Sequence, residues 1–392
     1  MLKSVSHLLQ AFAGAALLWG AVAPVGGAEP LAPRKLDASF AHEVQASIDR
    51  GLAWLQANQN SNGWWSAADP PAITALALTA FKGEPRGRYL TAEPPWLARG
   101  YRYLLSCARA DGGIHQSNLV TYNTAIGMMA LLAANKPEYE PTVRKARSFL
   151  VGLQRDFGDK GRIDDAQDGG IGYGSKYEHS DMGNTLAALE ALHHSRHLVA
   201  DRNFADSRDL NWAAAIQFLQ NCQNLPAYNK QPWASDDPKH KGGFIYYPGH
   251  SMAGTETNAA GRVALRSYGS ISYGGMLSYL YAQLQRDDPR VVAVFDWLRG
   301  NYTLEENPGM GQHGLYFYLH TMTKALNARG VQELELKDGR RVNWRREVAM
   351  KLIDLQQRDG SWSNTTGRWR ETDAALVTAY AVLSLEMIWR GL

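Results

Sequence analysis

Three stretches of this 392-residue chain gather side chains that could do chemistry. The first is Glu178-His179-Ser180-Asp181-Met182-Gly183-Asn184-Thr185. A carboxylate just ahead of an apolar helix either caps that helix or, if dried and held, serves as a proton donor. The second is Arg370-Glu371-Thr372-Asp373. Two carboxylates two residues apart beside a guanidinium read as a general acid pair, or equally as a capping cluster with a salt bridge. The third is aromatic: Tyr246, Tyr247, Tyr273, Tyr316, Phe317 and Tyr318 crowd one part of the chain. Such rings stabilise cations over their faces, bind sugars or apolar ligands, or pack as wall and core. His179, His250, His313 and His320 fall near expected turns. Asp164-Asp165 and Asp236-Asp237 lie in polar insertions and read as solvated loop acids.

The spacing of these residues excludes several chemistries. No His-Glu-x-x-His zinc motif is present. Cys107 and Cys222 are the only cysteines, too few for a thiolate zinc site. No metal is expected. One disulfide is open to the chain in an oxidising compartment; two small buried thiols are the alternative. The glycine run Gly169-Gly170-Ile171-Gly172-Tyr173-Gly174 follows a helix and completes a turn, so it is no dinucleotide fingerprint. Nucleophile-elbow and phosphate-loop patterns are absent, and no cofactor is expected.

The elements that must position these residues are read from Arg50 to Phe81. Leu52, Leu55 and Gln59 fall at helical steps with Trp54 beside them, and Asn62-Gly63 breaks the helix. Thr74 to Phe81 is a second, small-residue apolar helix. A pair of this kind cannot bury its own apolar face and must stack on copies. Five further copies follow, with Ala108, Gln154, Gln223, Tyr302 and Gln356 in the place of Gln59. Their second helices are expected at 123–134, 185–193, 272–284, 315–326 and 376–388. Residues 155–168 and 224–241 are insertions, and 246–266 is a polar, glycine-bearing loop.

Residues 1–28 read as a secretory leader: Lys3, an apolar run from Leu8 to Ala23, then Gly26-Gly27-Ala28 before Glu29. Residues 29–40 read as a flexible arm, and 41–392 as one domain. The protein is therefore expected to be secreted or periplasmic, with no stable membrane span once the leader is cleaved. The formal charge is +3, or 40 − 38 = +2 without Lys3, and its cations are spread, so no nucleic-acid partner is expected. Oligomeric state is not legible.

The motif Arg50-Gly51-x-x-Trp54-Leu55-x-x-x-Gln59-x-x-x-Gly63-x-Trp65 resembles the Gln-Trp repeat of squalene–hopene and oxidosqualene cyclases, and protein prenyltransferase β subunits share a related repeat. The resemblance covers about 41–390. It implies an all-α, six-hairpin (α/α)6 toroid, the first helices outside and the second helices inside. In that fold the starts of the inner helices face the mouth of a central cavity, and an apolar polyprenyl-type ligand is the implied partner. Class II cyclases carry Asp-x-Asp-Asp-Thr ahead of an inner helix. Aligned on Thr185, this chain has Asp181 at the first carboxylate and Gly183 where the protonating acid stands. The resemblance thus points to Asp181, Glu371 and Asp373 as acid candidates. It points to Tyr246, Tyr273, His313, Tyr316, Tyr318 and Arg370 as ligand contacts. A class II terpenoid cyclase-like activity, a non-catalytic binding or scaffold role, and a polysaccharide-active toroid enzyme all stay open. Prenyltransferases of this class bind zinc through Asp-x-Cys, and neither cysteine here has an Asp two residues before it.

Overall fold

The computed structural model describes residues 38–392 apart from 176, 200–207, 258–260 and 262. The expected leader, and the arm up to residue 37, lie outside the described residues. Helix α1 (Ala38–Ala57) begins inside the stretch expected as arm. Twelve α-helices follow one another as six hairpins among the described residues. The outer members are α1, α3 (Pro95–Ser106), α5 (Glu140–Gly152), α7 (Trp212–Asn221), α9 (Pro289–Gly300) and α11 (Trp344–Leu355). The inner members are α2 (Pro71–Lys82), α4 (Val120–Ala134), α6 (Met182–His194), α8 (Gly269–Tyr281), α10 (Leu315–Arg329) and α12 (Ala374–Arg390).

Burial separates the two sets. In α1, Val44, Ile48, Leu52 and Leu55 form one buried stripe at helical spacing. In α12 every residue from Ala375 to Ile388 is buried, and in α8 every residue is. Each inner helix packs on the next, and α12 packs on α2, so the inner ring closes. Helix α12 also packs against α1, which joins the last hairpin to the first. The fold is an all-α toroid, as the repeat motif implied.

The motif residues are the joints of this ring. Gln59 donates from Nε2 to the carbonyl of Gly63 in its own turn and of Trp96 in the next outer helix, both at 2.9 Å. Gln154 reaches Gly169 and Asn211 in the same way, and Gln223 reaches Gly242 and Arg290. Gln356 closes the circle on Ser47 of α1, 3.0 Å away, and takes hydrogen bonds from Ser47 Oγ and Arg50. Tyr302, the substitute in the fifth copy, bonds Glu347 of α11 at 2.9 Å. Gly63 (φ +104°) and Gly360 (φ +96°) sit where a Cβ would lie 2.5 and 2.6 Å from the carbonyl oxygens of Arg99 and Arg50. Both the left-handed backbone and the close approach require glycine there. Trp65 and Trp362 are fully buried and donate to Leu55 and Leu352 of their own outer helices.

The insertions are loops, with one addition. Two short strands, β1 (Thr255–Thr257) and β2 (Val263–Leu265), pair antiparallel. A shorter pair, β3 (Leu334–Glu335) and β4 (Arg341–Val342), links α10 to α11. Cys107 and Cys222 are both buried free thiols. Among the described residues no helix is long and apolar enough to cross a membrane.

Candidate functional site

All six inner helices begin at one end of the toroid, and each beginning is held from the repeat after it. Ala72 N of α2 donates to Asn123 Oδ1. Thr121 N of α4 donates to the Tyr173 carbonyl, and Met182 N of α6 to the Tyr246 carbonyl at 2.9 Å. Gly269 N and Ser270 N of α8 donate to Pro308 O and Asn307 Oδ1, both at 2.8 Å. Phe317 N of α10 donates to Glu371 at 2.8 Å. Asp373, ahead of α12, accepts from Ser66 of the first repeat. In the first five inner helices at least one free N–H group of the start is thereby satisfied in trans, and the start of α12 is tied to the first repeat through its capping Asp373. The loops that do this form the rim of the mouth.

Asp181 sits in this rim with no exposed surface. It caps α6, accepting from Asn184 N at 2.9 Å and Asn184 Nδ2 at 2.7 Å. The Tyr246 hydroxyl is a third partner. Burial raises its pKa against the pull of these hydrogen bonds and of nearby His179. Tyr246 bonds Tyr173 hydroxyl to hydroxyl at 3.0 Å, and Tyr173 is half-buried. The buried carboxyl and the two phenols thus lie together, with the Tyr246–Tyr173 bond leading to a half-exposed ring. Burial and the Asp181 charge both hold the Tyr246 phenol protonated. Around these groups the rings form one shelf. Tyr173 and Tyr177 are 5.1 Å apart, His179 and Tyr247 4.6 Å, and Tyr247 stacks on His250 at 4.7 Å. Tyr177 keeps 46% of its surface exposed. Gly183 opens onto the same place: a Cβ there would meet only Asp181 Oδ1 at 3.3 Å and Tyr246 at 3.9 Å. Beside the shelf, a cleft of about 480 Å³ runs between Arg155, Asp156 and Lys160 and the strand of Gly172 to Ser175.

The other carboxylates are placed differently. Glu371 is fully buried, and it accepts from the backbone N–H groups of Leu315, Tyr316 and Phe317 and from Asn364 Nδ2. It caps α10, whose own N-cap residue Gly314 offers no side chain. Asp373 caps α12 through Ala375 N and Leu376 N. Glu371 and Asp373 thus serve the starts of two different helices and do not form a facing pair. The Arg370 side chain is exposed and bonds neither carboxylate, while its backbone carbonyl accepts from Asp373 N at 2.8 Å.

The expected ligand contacts divide in the same way. Tyr246 belongs to the shelf. Tyr316 is buried beside Glu371, and its phenol is pushed up to about 12 by burial and that charge. His313 is half-buried in the turn ahead of α10, with Nδ1 unpaired. Tyr273 and Tyr318 are packed 5.7 Å apart with essentially no exposed surface, and Tyr318 donates to Thr303 beyond α9. They fill the space between the rings and present nothing to a ligand, because each projects from its inner helix outward.

Beneath the mouth polar side chains link alternate inner helices across the inner wall of the ring. Tyr122 of α4 and Tyr380 of α12 bond hydroxyl to hydroxyl at 2.8 Å. These helices are not ring neighbours, so the bond passes over the inner face of α2. Lys324 of α10 pairs with Glu190 of α6 across α8. Glu190 lies eight residues into its helix, about 12 Å below the rim. His320, stacked on Tyr380 at 5.1 Å, is kept neutral by burial. Of these, only His320 stood out in the sequence; Tyr122, Tyr380, Glu190 and Lys324 did not. The signal available was a lone Glu and a lone Lys inside otherwise apolar inner helices. Among the described residues no three His, Cys, Asp or Glu side chains gather as a metal site.

No family model and no curated protein sequence matches the chain. Solved structures do. The type II terpene cyclase MstE from Scytonema is similar with a TM-score of 0.52 at 14% identity, over 90% of this chain and 99% of that one. It has also been solved with its substrate geranylgeranyl dihydroxybenzoate. The GH76 α-mannanase BT2949 of Bacteroides thetaiotaomicron is similar with a TM-score of 0.53 at 11% identity, over 90% and 98%. An inactive variant of the α-1,6-mannanase GH76A of Salegentibacter sp., in complex with α-1,6-mannotriose, gives 0.54 at 10% identity, over 88% and 99%. At these identities the likeness is one of fold, the α/α toroid.

Proposed function

We propose that this toroid binds a saccharide at the mouth and acts on it through the line Asp181–Tyr246–Tyr173. The observation that carries this is the division of the cavity. Half-exposed rings and a buried acid stand at the rim, while the inner wall below carries a Tyr pair and an ion pair. A sugar offers flat C–H faces to rings and hydroxyls to polar groups, which suits a rim of this kind. A long polyprenyl chain needs a dry apolar shaft, and a Glu–Lys pair on the inner wall opposes that. In this reading Tyr246 exchanges a proton with the ligand and Asp181 holds or returns it. The carbohydrate-active toroids among the similar structures support the reading. The leader expected at residues 1–28 is in keeping with a secreted or periplasmic location.

The second reading is an apolar prenyl ligand, favoured by the prenylated substrate of the similar terpene cyclase. One experiment separates the two. The protein is incubated with a panel of polysaccharides, reducing ends and unsaturated products are followed, and co-purified apolar compounds are identified by mass spectrometry. Turnover of one panel member is expected, and Tyr246→Phe is expected to lower it by roughly 10²–10⁴-fold. No binding or turnover across the panel, with a prenyl compound retained, would overturn the saccharide reading.

A further inference from the structure

We propose that the turn Arg368-Trp369-Arg370 is a subsite that selects acidic sugar units, so that the ligand of the mouth is a uronate-bearing saccharide. This rests on the saccharide reading and narrows its substrate class. The turn belongs to the rim, directly ahead of Glu371 and Asp373. Trp369 keeps 40% of its surface exposed, an unusual state for an indole in this chain. Trp65, Trp344 and Trp362 are fully buried by contrast. Trp369 (φ +56°) and Arg370 (φ +65°) both adopt the left-handed backbone, which non-glycine residues avoid. Two such residues in succession are held there by their surroundings. The turn is closed by backbone hydrogen bonds from Arg370 N to Gly367 O and from Asp373 N to Arg370 O, and the next residue, Glu371, is bonded to the start of α10. The indole rests against Gly314 at the start of α10, where an added Cβ would meet its ring at 2.7 Å, with the Arg368 guanidinium over the ring and an edge left exposed.

Neither guanidinium is neutralised. Arg370 makes no side-chain hydrogen bond or ion pair among the described residues. Arg368 has only the Trp369 ring at 4.8 Å and Met252 Sδ at 3.5 Å. The two nearest carboxylates are engaged elsewhere, Glu371 on α10 and Asp373 on α12 and Ser66. The Met252 contact ties the turn to the loop that carries Tyr246, Tyr247 and His250. An exposed indole can stack on one sugar face while a guanidinium grips a carboxylate in two hydrogen bonds. A neutral sugar would leave both cations without a partner.

The test compares trimers of galacturonate and of mannuronate with neutral α-1,6-mannotriose, by calorimetry and tryptophan fluorescence. The proteins are the full chain, Arg370→Gln, and the double variant Arg368→Gln/Arg370→Gln. Both positions are exposed, and matching thermal unfolding confirms that the variants fold. A uronate trimer is expected to bind about ten-fold or more tightly than mannotriose, and the double variant to lose about that factor while mannotriose binding stays unchanged. Added salt is expected to weaken only the uronate. Equal or tighter binding of mannotriose, or equal loss of both in the double variant, would overturn the acidic preference and leave the saccharide reading standing. Binding of neither sugar class across the wider panel would overturn both.

Discussion

Replacing Glu371 tests whether the carboxylate at the sixth rim loop is a proton donor or a helix cap. Its four hydrogen-bond partners are three backbone N–H groups at the start of α10 and Asn364 Nδ2. Losing a capping side chain costs about 0.5–2 kcal/mol. Each buried donor left without a partner adds about 1–3 kcal/mol, less where water enters the vacated volume. With one or two donors rescued by water, Glu371→Ala is expected to cost about 3–5 kcal/mol. That is a large share of the 5–15 kcal/mol by which domains are typically stable. Glu371→Gln keeps an acceptor oxygen and loses the charge at the helix start, about 1 kcal/mol. The assay is urea unfolding of both variants, with hydrogen exchange at the amides of Leu315, Tyr316 and Phe317. Those amides should exchange much faster in Glu371→Ala and little faster in Glu371→Gln. A loss below about 1 kcal/mol in Glu371→Ala, with unchanged exchange, would refute the capping argument. Normal stability with abolished turnover in Glu371→Gln would return Glu371 to the list of acids.

The remaining predictions concern the seam and a buried charge. Gln356→Ala removes the joint between the last repeat and α1, and an unfolding cost of about 2–3 kcal/mol is expected; hydrogen exchange should rise first around Ser47 and Arg50. Gly360→Ala forces a Cβ to within 2.6 Å of the Arg50 carbonyl, so it should lower the melting temperature more than an exposed glycine such as Gly339 does. Glu386 is fully buried near Arg390 and Glu84, with neither carboxyl oxygen hydrogen-bonded among the described residues, and burial raises its pKa well above 4.5. The folded state therefore binds the extra proton, and Glu386 erodes stability as pH climbs above 4.5 towards its folded value. Glu386→Gln should be more stable than the parent at neutral pH, and that advantage should vanish in urea titrations run below pH 4.5; a gain that persists there would refute it.

The hairpins were legible because their signals are local. Leu52, Leu55 and Gln59 lie within one helix, and Gly63 ends it a turn later. The second helices announced themselves through unbroken small and apolar residues such as Ala75 to Ala80, which an inner ring packed on all sides requires. What the chain does not print locally was harder to read. Asp181 was legible as a candidate, but its partner Tyr246 lies 65 residues on, and Tyr173 is reached only through the fold. Glu371 and Asp373 look like a pair in sequence because they are two residues apart. The backbone between them turns from one helix start to the next, and so they part company. Tyr273 and Tyr318 carry the same composition signal as Tyr246, yet a helix has two faces and these two point outward. The Tyr122–Tyr380 bond joins residues 258 positions apart and has no signature short of the closed ring.

The reach of each repeat into its predecessor has a topological consequence. The junction of the last repeat with α1 uses the same glutamine and glycine as three of the junctions inside the chain. Mechanically, the ring has no first segment. The covalent gap could be moved to another loop and every one of these couplings would persist. Rupture at any single joint leaves an arc whose two ends are complementary, poised to re-engage each other or the free end of another copy.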